Sequence, residues 1–319
     1  MRQLRRLWLA LILLCAVQAG TAQAAPTIAS VLDGHGFTLT GNAVVCYCTG
    51  CSVINSTVTG NVVQGFSSCL ALGPLATING QLKMIGTCKV VNLVPGCAKG
   101  VSCKVTGGIV CGHECPPGNN CRWVSNHPCD HAVCNAVHCA QSAFRGLTAC
   151  GGSVCLSRTG ATFQLCGHHD GTTKVFCTNQ VCLAGSVLTL CGGSACNLIF
   201  LVRGAGNDFN VSTSIIQLCG GLTPCDVLFC VQGCNACITS STIDGTYMFC
   251  GCHHVTDTVD PSTVNGEIIG SGLNLVAGSF IIGPASTGAP ELDTTSASGA
   301  LAAILAALAL VADRRTRRA

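Results

Sequence analysis

The chain has 319 residues, of which 49% are hydrophobic and 9% charged, and its formal net charge is +3. Arg2, Arg5 and Arg6 at one end and Arg314, Arg315, Arg317 and Arg318 at the other supply that excess, leaving nine Lys or Arg against twelve Asp or Glu over residues 25–312. A slightly acidic body, with far fewer charges than the typical share of about 25%, has no basic patch for phosphate and so excludes nucleic acid as a partner.

Arg2, Arg5 and Arg6 precede an apolar run from Leu7 to Val17, and Ala22-Gln23-Ala24 follows with the small-x-small pattern of an export cleavage site. Eleven apolar residues are too few to span a bilayer, so residues 1–24 are predicted to be a signal peptide and Cys15 to belong to it. Removing both ends leaves enough chain for one long domain or two modest ones.

Residues 25–95 read as a β-rich region. Thr27 to Val45, Val53 to Gly65 and Ala76 to Val94 are rich in β-formers punctuated by Gly and Asn, as in Asn55-Ser56-Thr57-Val58-Thr59-Gly60. Asn79-Gly80 is a hairpin candidate.

Residues 96–254 form a cysteine-rich region holding 22 of the chain's 28 cysteines. After export, disulfides are the default fate of such sulfurs. Each bridge adds about 2–4 kcal/mol by restricting the unfolded chain. The 27 cysteines beyond the signal peptide are an odd number, which leaves one for an intermolecular link. Residues 96–140 look loop-rich. From Cys150 on, short apolar runs alternate with Cys-Gly turns at Cys150, Cys166, Cys191, Cys219 and Cys250, separated by 16, 25, 28 and 31 residues. That drifting interval suits the irregular coils of a β-solenoid. Leu198–Val202 and Ser214–Leu218 are the clearest strands, and no stretch of twelve residues between the two ends shows helical periodicity.

Residues 255–289 lack cysteine. Thr263 to Ile269 and Leu273 to Ile282 return to plain β sequence, and 283–289 reads as a linker. The fold class expected for the body is all-β: an irregular, disulfide-rich β-solenoid ahead of a β-sandwich.

Residues 290–319 close the chain with Pro290-Glu291-Leu292-Asp293, a small-residue spacer, an apolar run from Ala300 to Ala312 and the arginine cluster. Arginines beside a short apolar helix stay on the cytoplasmic side. This three-part tail resembles the bacterial sorting signals read by exosortase-type or rhombosortase-type processing systems, with Leu292-Asp293 departing from the commonest Pro-Glu-Pro form. The resemblance implies a membrane and a sorting protease as partners, and a mature protein released from the tail or handed to a surface anchor. A permanent single-span anchor is the plainer reading.

The strongest metal candidate is Cys234, Cys237, Cys250, Cys252, His253 and His254, whose soft sulfur and imidazole suit Zn or Cu. Neighbouring His253 and His254 point opposite ways on a strand, and a disulfide cluster with two exposed histidines accounts for the same residues. Cys-x2-Cys occurs at Cys48/Cys51 and Cys234/Cys237, without the βαβ pattern of a redox site. No Ser, His and acid constellation stands out, and no catalytic residue or cofactor is indicated. The function expected is that of an exported, non-enzymatic structural or adhesive protein of the cell surface or extracellular matrix, with a surface glycan or matrix as partner. A secreted Cys/His metal-binding protein and a β-helix enzyme on envelope polysaccharide are the alternatives, the last requiring a row of acidic residues along one face.

Overall fold

The computed structural model describes residues 27–33, 38–65, 69–84, 90–92, 104–107, 109–111, 132–147, 152–167, 172–194, 196–204, 209–233, 236–249 and 257–283. All of them lie in one compact unit ending at Pro284; a second unit, from Ala285 to Ala319, falls outside them. The signal-peptide and tail segments are likewise outside. Among the described residues no helix is long and apolar enough to cross a membrane.

After helix α1 (Ile28–Asp33) come β1 (Asn42–Val53), β2 (Thr57–Thr59), β3 (Asn61–Gln64), β4 (Cys69–Leu72), β5 (Thr77–Asn79), β6 (Leu82–Met84), β7 (Val90–Asn92), β8 (Lys104–Val105) and β9 (Ile109–Cys111). Helix α2 (Ala132–Arg145) follows. The second block of strands is β10 (Gly152–Ser153), β11 (Leu156–Thr159), β12 (Thr162–Cys166), β13 (Thr173–Thr178), β14 (Val181–Ala184), β15 (Val187–Cys191), β16 (Asn197–Val202), β17 (Phe209–Ser212) and β18 (Ile215–Cys219). A 3₁₀ turn (Pro224–Asp226) leads to β19 (Val227–Val231), β20 (Ala236–Thr239), β21 (Thr242–Phe249), β22 (Asp257–Asp260), β23 (Thr263–Leu275) and β24 (Phe280–Ile282).

Every strand pairing is parallel, each strand lying on the equivalent strand of the previous coil. The body is a β-solenoid with three faces. Face A carries β11, β14, β17, β20 and β22, then the ends of β23 and β1, β4 and β7. Face B carries β12, β15, β18 and the starts of β21 and β23, then β24, β2, β5 and β8. Face C carries β10, β13, β16, β19 and the second half of β21, then β23, β1, β3, β6 and β9. Spatial order departs from chain order at one place. The last-made strands β23 and β24 pair with the first-made β1 and β2, so residues 42–111 stack beyond residues 263–282.

Alternation along each strand fills the interior. On face B the inward column runs Phe163, Leu188, Ile216, Ile243, Val264, Ile281, Val58, Ile78. On face C, Phe176, Phe200, Phe229 and Tyr247 stack in register with ring centroids 5.1, 4.6 and 5.3 Å apart. Each fully buried aliphatic or aromatic side chain contributes about 1.5–3 kcal/mol. Face C is buried on its outer side as well, so β16 and β19 read as unbroken apolar runs rather than alternating ones.

The cover on face C is helical. Val133, Ala136, Val137, Ala140 and Phe144 of α2 lie on one stripe and pack with Ile28, Val31 and Leu32 of α1 against Val175, Ile199, Leu201, Leu228, Met248 and Ile269. This corrects the expectation of loop over 132–140 and of no helix between the two ends; residues 112–131 lie outside the described residues. The stripe was masked in sequence by Cys134 at its edge and by Asn135, His138 and Cys139 on the exposed side, which are weak helix formers. Gln141 Nε2 donates to Tyr47 Oη at 3.0 Å, tying the helix to β1. Arg203 donates to the carbonyls of Arg145 and Leu147 at the helix C-terminus.

Two corners set the coil. Between faces B and C, Cys166-Gly167, Cys191-Gly192 and Cys219-Gly220 stack, so the 25- and 28-residue intervals are coil lengths. Gly220 adopts φ +73, and a Cβ there would meet the Gly192 carbonyl at 2.6 Å. Between faces A and B runs a buried serine ladder: the amides of Ser186, Ser214 and Ser241 donate to the hydroxyls of Ser214, Ser241 and Ser262 at 3.0, 3.1 and 3.1 Å. Asn79-Gly80 is not a hairpin: β5 pairs with β2 and β8, and Asn79-Gly80 turns a corner of the coil.

Candidate binding face

Face C is covered by the helices, and among the described residues no helix lies on faces A or B. Face A turns outward the small side chains Ser157, Cys182, Asn210, Cys237 and Thr258, in register from coil to coil. Cys237 is the one member of the six-residue metal candidate within the described residues. It is half-buried on β20, its Sγ 3.3 Å from Thr239 Oγ1. Cys234, Cys250, Cys252, His253 and His254 lie outside the described residues. Among those described, no three His, Cys, Asp or Glu side chains gather as a metal site.

Face B differs in chemistry. Its first outward column is Thr162, Val187, Ile215, Thr242, Thr263, Phe280, Thr57, Thr77. The second includes Gln164, Thr189 and Gln217, then Asp244, Asn265, Ile282, Thr59 and Asn79. Ile215, Phe280 and Ile282 are 41%, 51% and 46% exposed, and they account for all but Leu75 of the exposed large apolar side chains among the described residues. Such side chains gathered on one face mark an interaction surface.

The local order of this face follows from its residue types. Thr, Val and Ile are β-branched and restricted at χ1, so their methyl and hydroxyl groups have few positions on the strand. No register shift interrupts the ladder on this face, and the coil repeat is about 4.8 Å. Gln217 Nε2 donates to Thr189 Oγ1 at 2.9 Å and Asn265 Nδ2 donates to Asp244 Oδ1 at 2.7 Å, so the longer polar side chains lie along the face rather than reaching off it. Asp244 is the only acid in these two columns, and no acidic row runs along either open face among the described residues. A polysaccharide-cleaving site lacks its carboxylates there.

Two disulfides join described residues. Cys46–Cys51 spans the bend of β1, so Cys51 of the Cys48/Cys51 motif bridges elsewhere, and Cys191–Cys219 links two coils on face B. Cys155, Cys166, Cys182, Cys225 and Cys237 are unbridged. Sequence reasoning named no residue of face B as functional. Its signal was the corner phrase Gly185-Ser186, Thr213-Ser214, Ser240-Ser241, Pro261-Ser262, Gly278-Ser279, each followed at once by a face B strand.

No protein-family model matches the chain, and no curated protein matches it significantly. Solved structures do. An ice-binding protein (LeIBP) from an Arctic yeast aligns with TM-score 0.51 at 14% identity, covering 83% of this chain and 97% of that one. The ice-binding protein_1 DUF3494 domain of Shewanella frigidimarina aligns with TM-score 0.50 at 13% identity, covering 81% and 97%. An ice-binding protein from the Antarctic ascomycete Antarctomyces psychrotrophicus aligns with TM-score 0.47 at 17% identity, covering 79% and 97%. At such identities the first two likenesses establish architecture: the chain has the β-solenoid fold of these ice-binding proteins.

Proposed function

We propose that this is an exported protein that binds ice, or a similarly ordered water layer on a solid, through face B, and that its C-terminal tail sorts or holds it at the cell surface. The observation carrying the reading is the outward column of Thr and apolar side chains, Thr162, Val187, Ile215, Thr242, Thr263, Phe280, Thr57 and Thr77, in unbroken register beside a polar column that holds one acid. Threonine methyls and exposed Ile and Phe disfavour disordered hydration, while the hydroxyls anchor water at a spacing set by the sheet. A rigid, periodic array of this kind orders a first water layer without the entropy cost of fixing mobile side chains. The ice-binding proteins that share the fold support the reading. The adhesive role expected from the tail is the same surface put to use: a cell carrying it would attach to ice.

The test is ice recrystallisation inhibition and thermal hysteresis of the purified body. Ile215→Lys and Thr242→Tyr on face B are expected to lower activity at least tenfold with the melting temperature little changed. Asn210→Tyr on face A is expected to leave activity intact. A wild-type protein inactive in both assays would sink the ice reading. Intact mass of the exported protein checks the tail: a mature chain ending between residues 290 and 298 is expected from sorting.

A further inference from the structure

Cys166, Cys191 and Cys219 close face B at its corner with face C. The β12–β15 register sets Cys166 against Cys191, and the β15–β18 register sets Cys191 against Cys219. Three sulfurs in adjacent coils share one bridge: Cys191–Cys219, with Cα atoms 4.6 Å apart. Cys166 is an exposed thiol beside it. Gln164 Nε2 lies 2.8 Å from Cys191 Sγ and 3.4 Å from Cys166 Sγ, so one amide nitrogen touches both sulfurs. Lys174 Nζ donates to the Cys166 carbonyl at 3.1 Å and holds that strand end.

Adjacent coils lie about 4.8 Å apart, inside the Cα range of about 4.4–6.8 Å that a disulfide accepts. A Cys166–Cys191 bridge therefore asks no more of the backbone than the one observed. The order along the column is thiol, central sulfur, leaving sulfur, which is the order that displacement at sulfur needs.

We propose that Cys166, Cys191 and Cys219 form a thiol–disulfide exchange site in which the central Cys191 passes one bridge between its two neighbours. Cys166 loses its proton to solvent and its sulfur lone pair forms the bond to Cys191 Sγ. The Cys191–Cys219 bond breaks, its electron pair leaves on Cys219 Sγ, and that thiolate takes a proton from solvent. One disulfide is present before and after, so no oxidant or reductant enters. The single thiol moves two coils along the face, from the exposed end strand β12 to β18. The exchange stands apart from the ice reading, since its three sulfurs lie in the corner column and outside the two outward columns.

Iodoacetamide labelling of the folded, oxidised full-length protein at pH 8, followed by non-reducing peptide mapping, tests it. Within this column two patterns are expected, whatever label the other free thiols take: label on Cys166 with the Cys191–Cys219 bridge, and label on Cys219 with a Cys166–Cys191 bridge. In Cys219→Ser, the Cys166–Cys191 bridge is expected to form and Cys166 labelling to fall at least tenfold. Cys166→Ser retains the observed bridge and serves as the folding control. Wild-type protein labelled on Cys166 and never on Cys219 would overturn the proposal, as would Cys219→Ser lacking the Cys166–Cys191 bridge.

Discussion

At the residue scale, the most consequential side chain away from face B is Glu267, 2% exposed on β23 with Oε1 lacking a hydrogen-bond partner. Burial raises its carboxyl well above the usual range, the charge of Asp33 adds to this, and a hydrogen bond to the Asn42 backbone opposes it. Cys225, near Glu267 and Asp226, is also raised, first by burial and then by those two charges. Because the folded state holds the Glu267 proton more tightly than the unfolded state, its contribution is complete below about pH 4.3 and is lost as pH rises toward the folded value. Over that window it costs up to about 1.4 kcal/mol of stability per pH unit. Glu267→Gln is expected to abolish this component, seen as a flatter stability profile above pH 5 in urea titrations; parallel profiles for the two proteins would refute it. Nothing in the sequence marked Glu267 as buried, although the stretch Thr263 to Ile269 around it reads as β. It lies within a thirteen-residue strand whose outer side on face C is covered. Gly266, at φ +142, lets that strand pass where a Cβ would sit 2.0 Å from the Gly245 carbonyl.

At the element scale, strands were legible by two patterns: Ser214–Leu218 alternates because one side meets water, and Leu198–Val202 is a short unbroken apolar run buried on both sides, and they fall within a residue of β18 and β16. The Cys-Gly recurrence was legible too, and it marks one of the coil's corners. The α2 helix was not, because its identity depends on the apolar outer side of face C, which exists only once the coils have stacked. Its Phe144 is fully buried. Phe144→Ala is expected to destabilise the body by about 3–5 kcal/mol. The loss should appear as a lower urea midpoint with the solenoid's strand signal retained at low denaturant; an unchanged midpoint would mean the helix is not part of the cooperative unit. Face B was illegible as a site for a related reason. Thr57, Thr77, Thr242 and Thr263 are scattered in sequence and meet in one column only through the coil register. No spacing rule on the chain brings them together.

At the scale of the whole molecule, the pairing of β1 with β23 and of β2 with β24 joins the two ends of the described chain through its longest strands. Such distant pairings slow folding, because a long loop must close before its contacts form. Gly283 donates its amide to the Thr59 carbonyl, and a Cβ on it would lie 2.8 Å from that of Ala43, so the last strand ends beside the first. A circular permutant that joins residue 283 to Thr27 by a flexible linker and opens new ends between residues 111 and 132 is expected to keep the fold and refold faster. Stopped-flow refolding checks this, and equal rates would refute it. Seen from the ribosome, the same pairing means that β1 emerges some 220 residues before its mate β23. The early coils thus lack their neighbour on the β23 side until the last strands of the solenoid have been made.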